Sequence, residues 1–398
     1  MIKQAFKTMV LLAVLSALAV ASASASSSLP ADVASEQHQE SPAPQTFLWE
    51  EYGITFTLPD GWQTVGKSQN FDLALVGPGV LEGGAGPFIM LQVFASLGAG
   101  STPEKALESL ASQVNSTVES FTAAGLTGAG VTFNDEETGT VGHLILLPYG
   151  ESASAVLYAQ TSAPPADDAT VIGILDSMVI DPPKPDYAAV DAAWQTSLAE
   201  QGRLIYGASD APISMVEFLS FTCGHCANYS LPIEHLIALE AESGRVRIEL
   251  APLAGDELAT RATQATFCAA EQGKGYSAYK ALFNGYLTIG YQQAYSEDGV
   301  RQLLEPLGLD MDALESCMEK KTYDNTLAAI RKDFVDNGLS GTPTVMLGTN
   351  GGAPEPLKLP DGQVWGGTVP IEILRTLFDL ITEQGLTVSE ATTQFFGG

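Results

Sequence analysis

The sequence predicts an N-terminal α+β sandwich followed by a C-terminal α/β domain that carries a large helical insertion. Three observations predict it. From about residue 47 to 180 the patterns run strands, helix, strands, helix, the order of a small two-layer domain. From about residue 188 they run helix, two strands, helix and strand, then a helical block from about 256 to 338, then two strands and a helix. Between the halves, Asp181-Pro182-Pro183-Lys184-Pro185-Asp186 is a proline-rich break, and residues 181–187 are taken as the linker.

At 398 residues with 45% hydrophobic content, the chain is long enough for two cored domains. The 18 basic residues are outnumbered by 47 acidic ones, a net charge of −29. That balance argues against nucleic acid, or an anionic membrane surface, as an electrostatic partner.

Residues 1–25 read as a secretory leader rather than as part of the fold. Lys3 and Lys7 precede an apolar run from Met9 to Val20, and Ala21-Ser22-Ala23-Ser24-Ala25 offers cleavage sites after Ala23 or Ala25. The run is shorter than the roughly 20 residues of a membrane span, and no cysteine follows it to take a lipid. Removing two lysines leaves 16 basic against 47 acidic residues, or −31. Periplasmic or extracellular location is expected, where disulfides persist. Residues 26–46, rich in Ser, Ala, Pro, Gln and Glu, read as a flexible tether.

In the first domain, Tyr52–Leu58 alternates as a strand and Pro59-Asp60-Gly61-Trp62 turns it. Phe71–Val76, Phe88–Phe94, Val141–Leu147 and Ala153–Thr161 are further strands, with Gly77–Gly86 a solvent-exposed turn. Ser101-Thr102-Pro103-Glu104 has a capping pattern, and Leu107, Leu110, Val114 and Val118 recur at helical spacing. A second helix covers about 167–178. This half resembles the PsbP-like family through Pro59-Asp60-Gly61-Trp62 and Ile174-Leu175-Asp176-Ser177-Met178, which implies a binding or scaffolding fold.

In the second domain a helix is expected over 188–201, strands at Leu204–Tyr206, Ile213–Leu219 and Val246–Leu250, and a helix opening at Cys223 that Pro232 should kink. After the helical block come a strand at Thr344–Leu347, a turn at Gly351-Gly352, a strand at Gln363–Trp365 and a closing helix at Pro370–Ile381.

The chemistry sits where an apolar strand runs into Cys223-Gly224-His225-Cys226. A C-x-x-C at a helix start, past a buried strand, is the arrangement of a thioredoxin-type redox site. Unpaired N–H groups and the positive end of the helix dipole face Cys223, lowering its thiol pKa. His225, when cationic, adds to that, and Cys226 one turn on resolves the mixed disulfide. A plain disulfide or half of a zinc site are the alternatives, and zinc wants a second close pair of ligands. Glu217, six residues before Cys223, is either an edge position facing solvent or a buried carboxylate, and unpaired burial is costly. His38, His143 and His235 have no ligand partner nearby in sequence. No G-x-S-x-G, H-E-x-x-H, Walker or dinucleotide signature occurs, so neither cofactor nor metal is expected.

The second half resembles the DsbA family of exported thiol–disulfide oxidoreductases, a thioredoxin fold with an inserted helical domain. The resemblance runs from about Ser209 to Ile381. It rests on Val216–Cys226, the run Phe267-Cys268-Ala269-Ala270-Glu271-Gln272-Gly273-Lys274, Ala281-Leu282-Phe283, Cys317 and Gly338–Val345. It implies that Thr342–Pro343 is a cis peptide packed against the C-x-x-C, although trans is the default from sequence alone. It implies that Thr342 pairs a substrate strand, that Glu217 shuttles a proton to and from Cys226, and that Cys268 and Cys317 form a structural disulfide. A monomer acting on thiol-containing exported proteins, and regenerated by a membrane redox partner, is the expectation. The rivals are a disulfide isomerase or reductase, a partner-binding protein whose first domain recruits the substrate, and copper delivery by the two thiolates.

Overall fold

The computed structural model describes residues 45–66, 71–81, 86–136, 138–151, 154–349, 351–359 and 361–397. The leader at 1–25 and nearly all of the tether lie outside these residues. Gln45 and Thr46, assigned to the tether, already belong to the first strand. The chain forms two compact units that divide between Pro182 and Pro183.

In the first unit, β1 (Gln45–Trp49), β2 (Ile54–Leu58) and β10 (Val179–Ile180) form a three-stranded antiparallel sheet with β2 in the middle. A seven-stranded antiparallel sheet holds β3 (Gln63–Val65), β4 (Leu73–Val76), β5 (Phe88–Phe94), β6 (Glu119–Ala123), β7 (Leu126–Asp135), β8 (Thr140–Pro148) and β9 (Val156–Ala163). Its order is β3-β4-β5-β9-β8-β7-β6. Helix α1 (Pro103–Gln113) buries Leu107 and Ala111 against Ala129, Val131, Leu144 and Leu146. Helix α2 (Asp168–Asp176) buries Val171, Ile174 and Leu175.

The sequence reading missed the β6–β7 hairpin, for identifiable reasons. Its two-residue turn, Ala124-Gly125, has φ of 55° and 71°, the signature of a type I′ turn, yet Ala is not a residue that advertises one. Gly128 lies within β7, where a Cβ would fall 2.0 Å from the Leu146 carbonyl oxygen, so the glycine permits strand contact rather than marking a loop. The cap of α1 also differs from expectation. Thr102, not Ser101, is the N-cap, accepting from the Lys105 N–H at 3.4 Å. The helix stops at Gln113, and Val114 and Val118 reach the same core from beyond its end.

The second unit opens with α3 (Tyr187–Gln201), which buries Val190, Trp194 and Leu198. Its sheet, of order β11-β13-β12-β14-β15, comprises β11 (Leu204–Tyr206), β12 (Ile213–Leu219), β13 (Val246–Pro252), β14 (Thr344–Thr349) and β15 (Glu355–Pro356). β12 runs parallel to β13 and antiparallel to β14. Helix α4 (Gly224–Leu236) follows β12, continues past Pro232 and finishes in a π-helical turn at Ile237–Ala241. Between β13 and β14 the chain is helical, with α5 (Glu257–Glu271), α6 (Gly275–Ile289), α7 (Tyr291–Ala294), α8 (Glu297–Leu304), α9 (Met311–Glu319) and α10 (Asp324–Asp336). Cys268 on α5 and Cys317 on α9 are joined by a disulfide. Parallel strands linked through a helix, an antiparallel return and a helical excursion before β14 make this a thioredoxin fold with an inserted helical domain.

Two C-terminal details depart from expectation. Residues 363–365 are not a strand; Val364 makes a single bridge to Lys358. After α11 (Ile371–Gln384) comes an unanticipated helix, α12 (Val388–Gly397). A capping box announces it: Thr387 Oγ1 accepts from the Glu390 N–H at 3.2 Å, and Glu390 Oε2 accepts from the Thr387 N–H at 2.9 Å.

Candidate active site

The site lies where β12 ends and α4 begins. Phe221 anchors the connection, stacked on Phe283 with centroids 4.8 Å apart and edge-on to Tyr279 and Tyr295. A turn follows, closed by the Cys223 N–H donating to the Ser220 carbonyl at 3.1 Å. Cys223 is the N-cap of α4 in extended conformation, so its sulfur faces the unpaired N–H groups of the first turn. Thr222 Oγ1 donates to Asp256 Oδ2 at 2.8 Å, and Asp256 Oδ1 caps α5 by accepting from the Ala259 N–H. The turn before Cys223 is thereby tied to the first helix of the insertion.

The opposite wall comes from the far end of the chain. Phe218 is register-paired with Thr344, so the residues before β14 arrive beside the turn that follows β12. There Thr342–Pro343 is a cis peptide. The thiol of Cys223 donates to the Thr342 carbonyl at 3.3 Å, and the Gly367 N–H donates to the Pro343 carbonyl at 3.0 Å.

The two thiols are driven apart in acidity. Cys223 is pulled down to about 5, chiefly by a hydrogen bond from the Cys226 thiol, then by the Cys226 N–H, the Thr342 side chain and the His225 N–H; partial burial opposes the shift. Cys226 is 1% exposed. Its thiol is pushed far up, first by burial, then by its hydrogen bond to Cys223 and the negative charges of Glu217 and Cys223. One cysteine is an accessible thiolate at neutral pH and the other a shielded thiol, a division of labour that dithiol exchange requires.

Glu217 lies on the central strand, register-paired with Leu250 on one side and Val345 on the other, and is 1% exposed. This removes the solvent-facing edge reading. Its Oε2 has no hydrogen-bond partner among the described residues. Burial, and then the charge of Cys223, raise its carboxyl to about 8. His225 is exposed. His143 belongs to the first unit, where its ring bonds Thr132 Oγ1 at 3.0 Å and Asp168 Oδ1 at 2.8 Å.

Sequence reasoning overlooked Tyr286 on α6. A Cβ added to Gly224 would lie 3.0 Å from its phenol oxygen. In the sequence it is one more residue of the helical block and carries no local signal of its own. Asp256 was likewise read only as the start of the helical block.

A family model described as Thioredoxin matches residues 199–352. No curated protein matches the chain. Among solved structures, alpha-DsbA1 from Wolbachia pipientis is similar at 19% identity, with 49% of this chain and 95% of that one covered and a TM-score of 0.40. A thioredoxin-like oxidoreductase from Silicibacter pomeroyi has 21% identity, coverage of 46% and 92%, and a TM-score of 0.35. Oxidised BdbD from Bacillus subtilis has 14% identity, coverage of 48% and 94%, and a TM-score of 0.36.

Proposed function

We propose that the C-terminal unit, a DsbA-like thioredoxin-fold domain, makes this chain an exported thiol–disulfide oxidoreductase that oxidises the thiols of exported proteins. The observation that carries the reading is the acidic Cys223 sulfur at the mouth of α4, 3.3 Å from the carbonyl of Thr342.

In the oxidised state a substrate thiolate attacks Cys223 Sγ, the Cys223–Cys226 bond breaks, and Cys226 leaves as a thiolate. Buried as it is, Cys226 takes up a proton, and the neutral carboxyl of Glu217 is the donor. A second substrate thiolate then attacks the substrate sulfur of the mixed disulfide, and Cys223 leaves as a stabilised thiolate. Two electrons have passed from substrate to enzyme, and the substrate holds a new disulfide. Thr342, beside cis-Pro343, pairs the backbone of the bound segment. A membrane redox partner takes the two electrons and restores the disulfide.

A stable Cys223 thiolate makes the reduced form favourable and the couple oxidising. The Gly224-His225 dipeptide matches that of protein disulfide isomerase, near about −180 mV, while DsbA lies near about −120 mV. A potential between them is expected. Equilibration of the purified protein with glutathione buffers tests this, with Cys223→Ser as control. A value near about −270 mV, that of thioredoxin, would identify a reductase instead. Export rests on the leader at residues 1–25. No helix among the described residues is long and apolar enough to cross a membrane.

A further inference from the structure

Tyr286, in the helical insertion, meets the first turn of the redox helix at Gly224. Its phenol oxygen would be 3.0 Å from a Cβ at Gly224, so it borders the side of the helix mouth that the glycine leaves open. The ring is fixed from behind. It stacks on Tyr291 with centroids 5.7 Å apart and planes 23° apart, and it tilts against Tyr295 at 6.5 Å. Tyr295 is itself held, its hydroxyl donating to the Leu282 carbonyl at 3.2 Å and its ring meeting Phe221 at 5.9 Å. Tyr286 and Tyr291 remain partly exposed, and the Tyr286 hydroxyl bonds no described residue.

The surroundings are acidic. Asp256 is exposed and bonded to Thr222, the residue before Cys223. Arg261, which reaches the Tyr295 carbonyl at 2.8 Å, is engaged by Glu257 at 3.0 Å and Glu297 at 3.7 Å. The chain as a whole carries −29. A preorganised, electron-rich ring, Tyr286 backed by Tyr291, therefore borders the first turn of the redox helix in a negative field. A cation within about 6 Å of such a face is attracted by the ring quadrupole, and a negative field concentrates cationic segments. A neutral ring would stack on Tyr286 but gain nothing from the field.

We propose that Tyr286, backed by Tyr291, is a specificity-determining residue that favours substrates in which an arginine or lysine neighbours the reacting cysteine. This rests on the thiol-exchange reading and adds the class of substrate to it.

The test uses the full oxidised chain and four peptides identical except for the residue after their single cysteine, which is Arg, Leu, Trp or Glu. The rate of mixed-disulfide formation is measured at low and high salt for the wild type, Tyr286→Ala and Tyr286→Phe. The wild type is expected to react fastest with the Arg peptide and slowest with the Glu peptide, with salt narrowing that gap. Tyr286→Ala should lower the Arg-over-Leu ratio by about three-fold, the scale of a partly exposed cation–π contact. Tyr286→Phe, which keeps the ring, should preserve the ratio. Because both peptides react with the same variant, any loss of folded protein cancels. An Arg-over-Leu ratio unchanged in Tyr286→Ala, or a wild type fastest with the Trp peptide, overturns the assignment. No reaction with any peptide overturns the thiol-exchange reading and this assignment together.

Discussion

The sulfur of Cys223 lies 3.3 Å from the carbonyl oxygen of Thr342, a residue 119 positions away in the chain. The antiparallel register of β12 on β14 makes this contact, because pairing Phe218 with Thr344 brings the start of one strand to the end of the other. The helical insertion fits between β13 and β14 without disturbing that pairing. In the thiol form Cys223 donates to this carbonyl; on ionisation that bond is given up and the donors on Cys226, Thr342 and His225 take over.

The first prediction concerns stability against pH. Cys223 has a depressed folded pKa, about 5, so its contribution is complete above the unfolded thiol range and is lost as pH falls through 5. Glu217 has the opposite sign: raised to about 8, it contributes below the unfolded carboxyl range and that contribution is lost as pH rises through 8. The burial that chiefly raises Glu217 acts in both redox states, whereas Cys223 titrates only in the reduced one. The melting temperature of the reduced form minus that of the oxidised form should therefore shrink as pH is lowered from 9 towards 5. A constant difference across that window contradicts the shift.

Replacing Glu217 by Gln should raise the melting temperature relative to wild type, and the gain should grow as pH rises from the ordinary carboxyl range towards 8 and level off above it, because the variant has no buried carboxyl to ionise. The same variant should slow the release of Cys226 from the disulfide, since the carboxyl proposed as its proton donor is gone. Melting curves and stopped-flow exchange at several pH values check the two effects separately.

Cys226→Ser should trap substrate on Cys223 as a stable mixed disulfide, because the resolving thiol is missing. Cys223→Ser should form none, its remaining thiol being buried and far up in pKa. Non-reducing gels after incubation with a disulfide-bearing substrate distinguish the two.

Asp256→Ala should lower stability by about 1–2 kcal/mol in denaturant, the usual cost of an N-cap, and should also loosen the turn at Thr222. Paired replacement of Cys268 and Cys317 by Ala should cost more. A closure of 49 residues is worth roughly 4 kcal/mol in the chain-entropy model. Neither change touches the hydrogen bonds to the Cys223 sulfur, so the acidity of that thiol should survive both.

Much of this architecture was legible because local patterns and global fold agree. The strand ending at Leu219, the C-x-x-C, and the amphipathic helices between β13 and β14 each announce themselves. Where the reading failed, the information was not local. The Ala124-Gly125 turn adopts a left-handed geometry for which Ala is no signal. The burial of Glu217 depends on strands that flank it only after folding, so one sequence could not separate an edge position from a central one. Tyr286 reaches Gly224 only through the packing of the insertion. The capping box at Thr387 and Glu390, by contrast, was local and simply lay beyond the last expected helix.

The most direct measurement is the pH dependence of Cys223 ionisation in the reduced protein, read by thiolate absorbance and by the rate of alkylation at that residue. The account predicts a midpoint near 5, with Cys226 unreactive throughout. A midpoint in the ordinary thiol range of about 8.5 contradicts it.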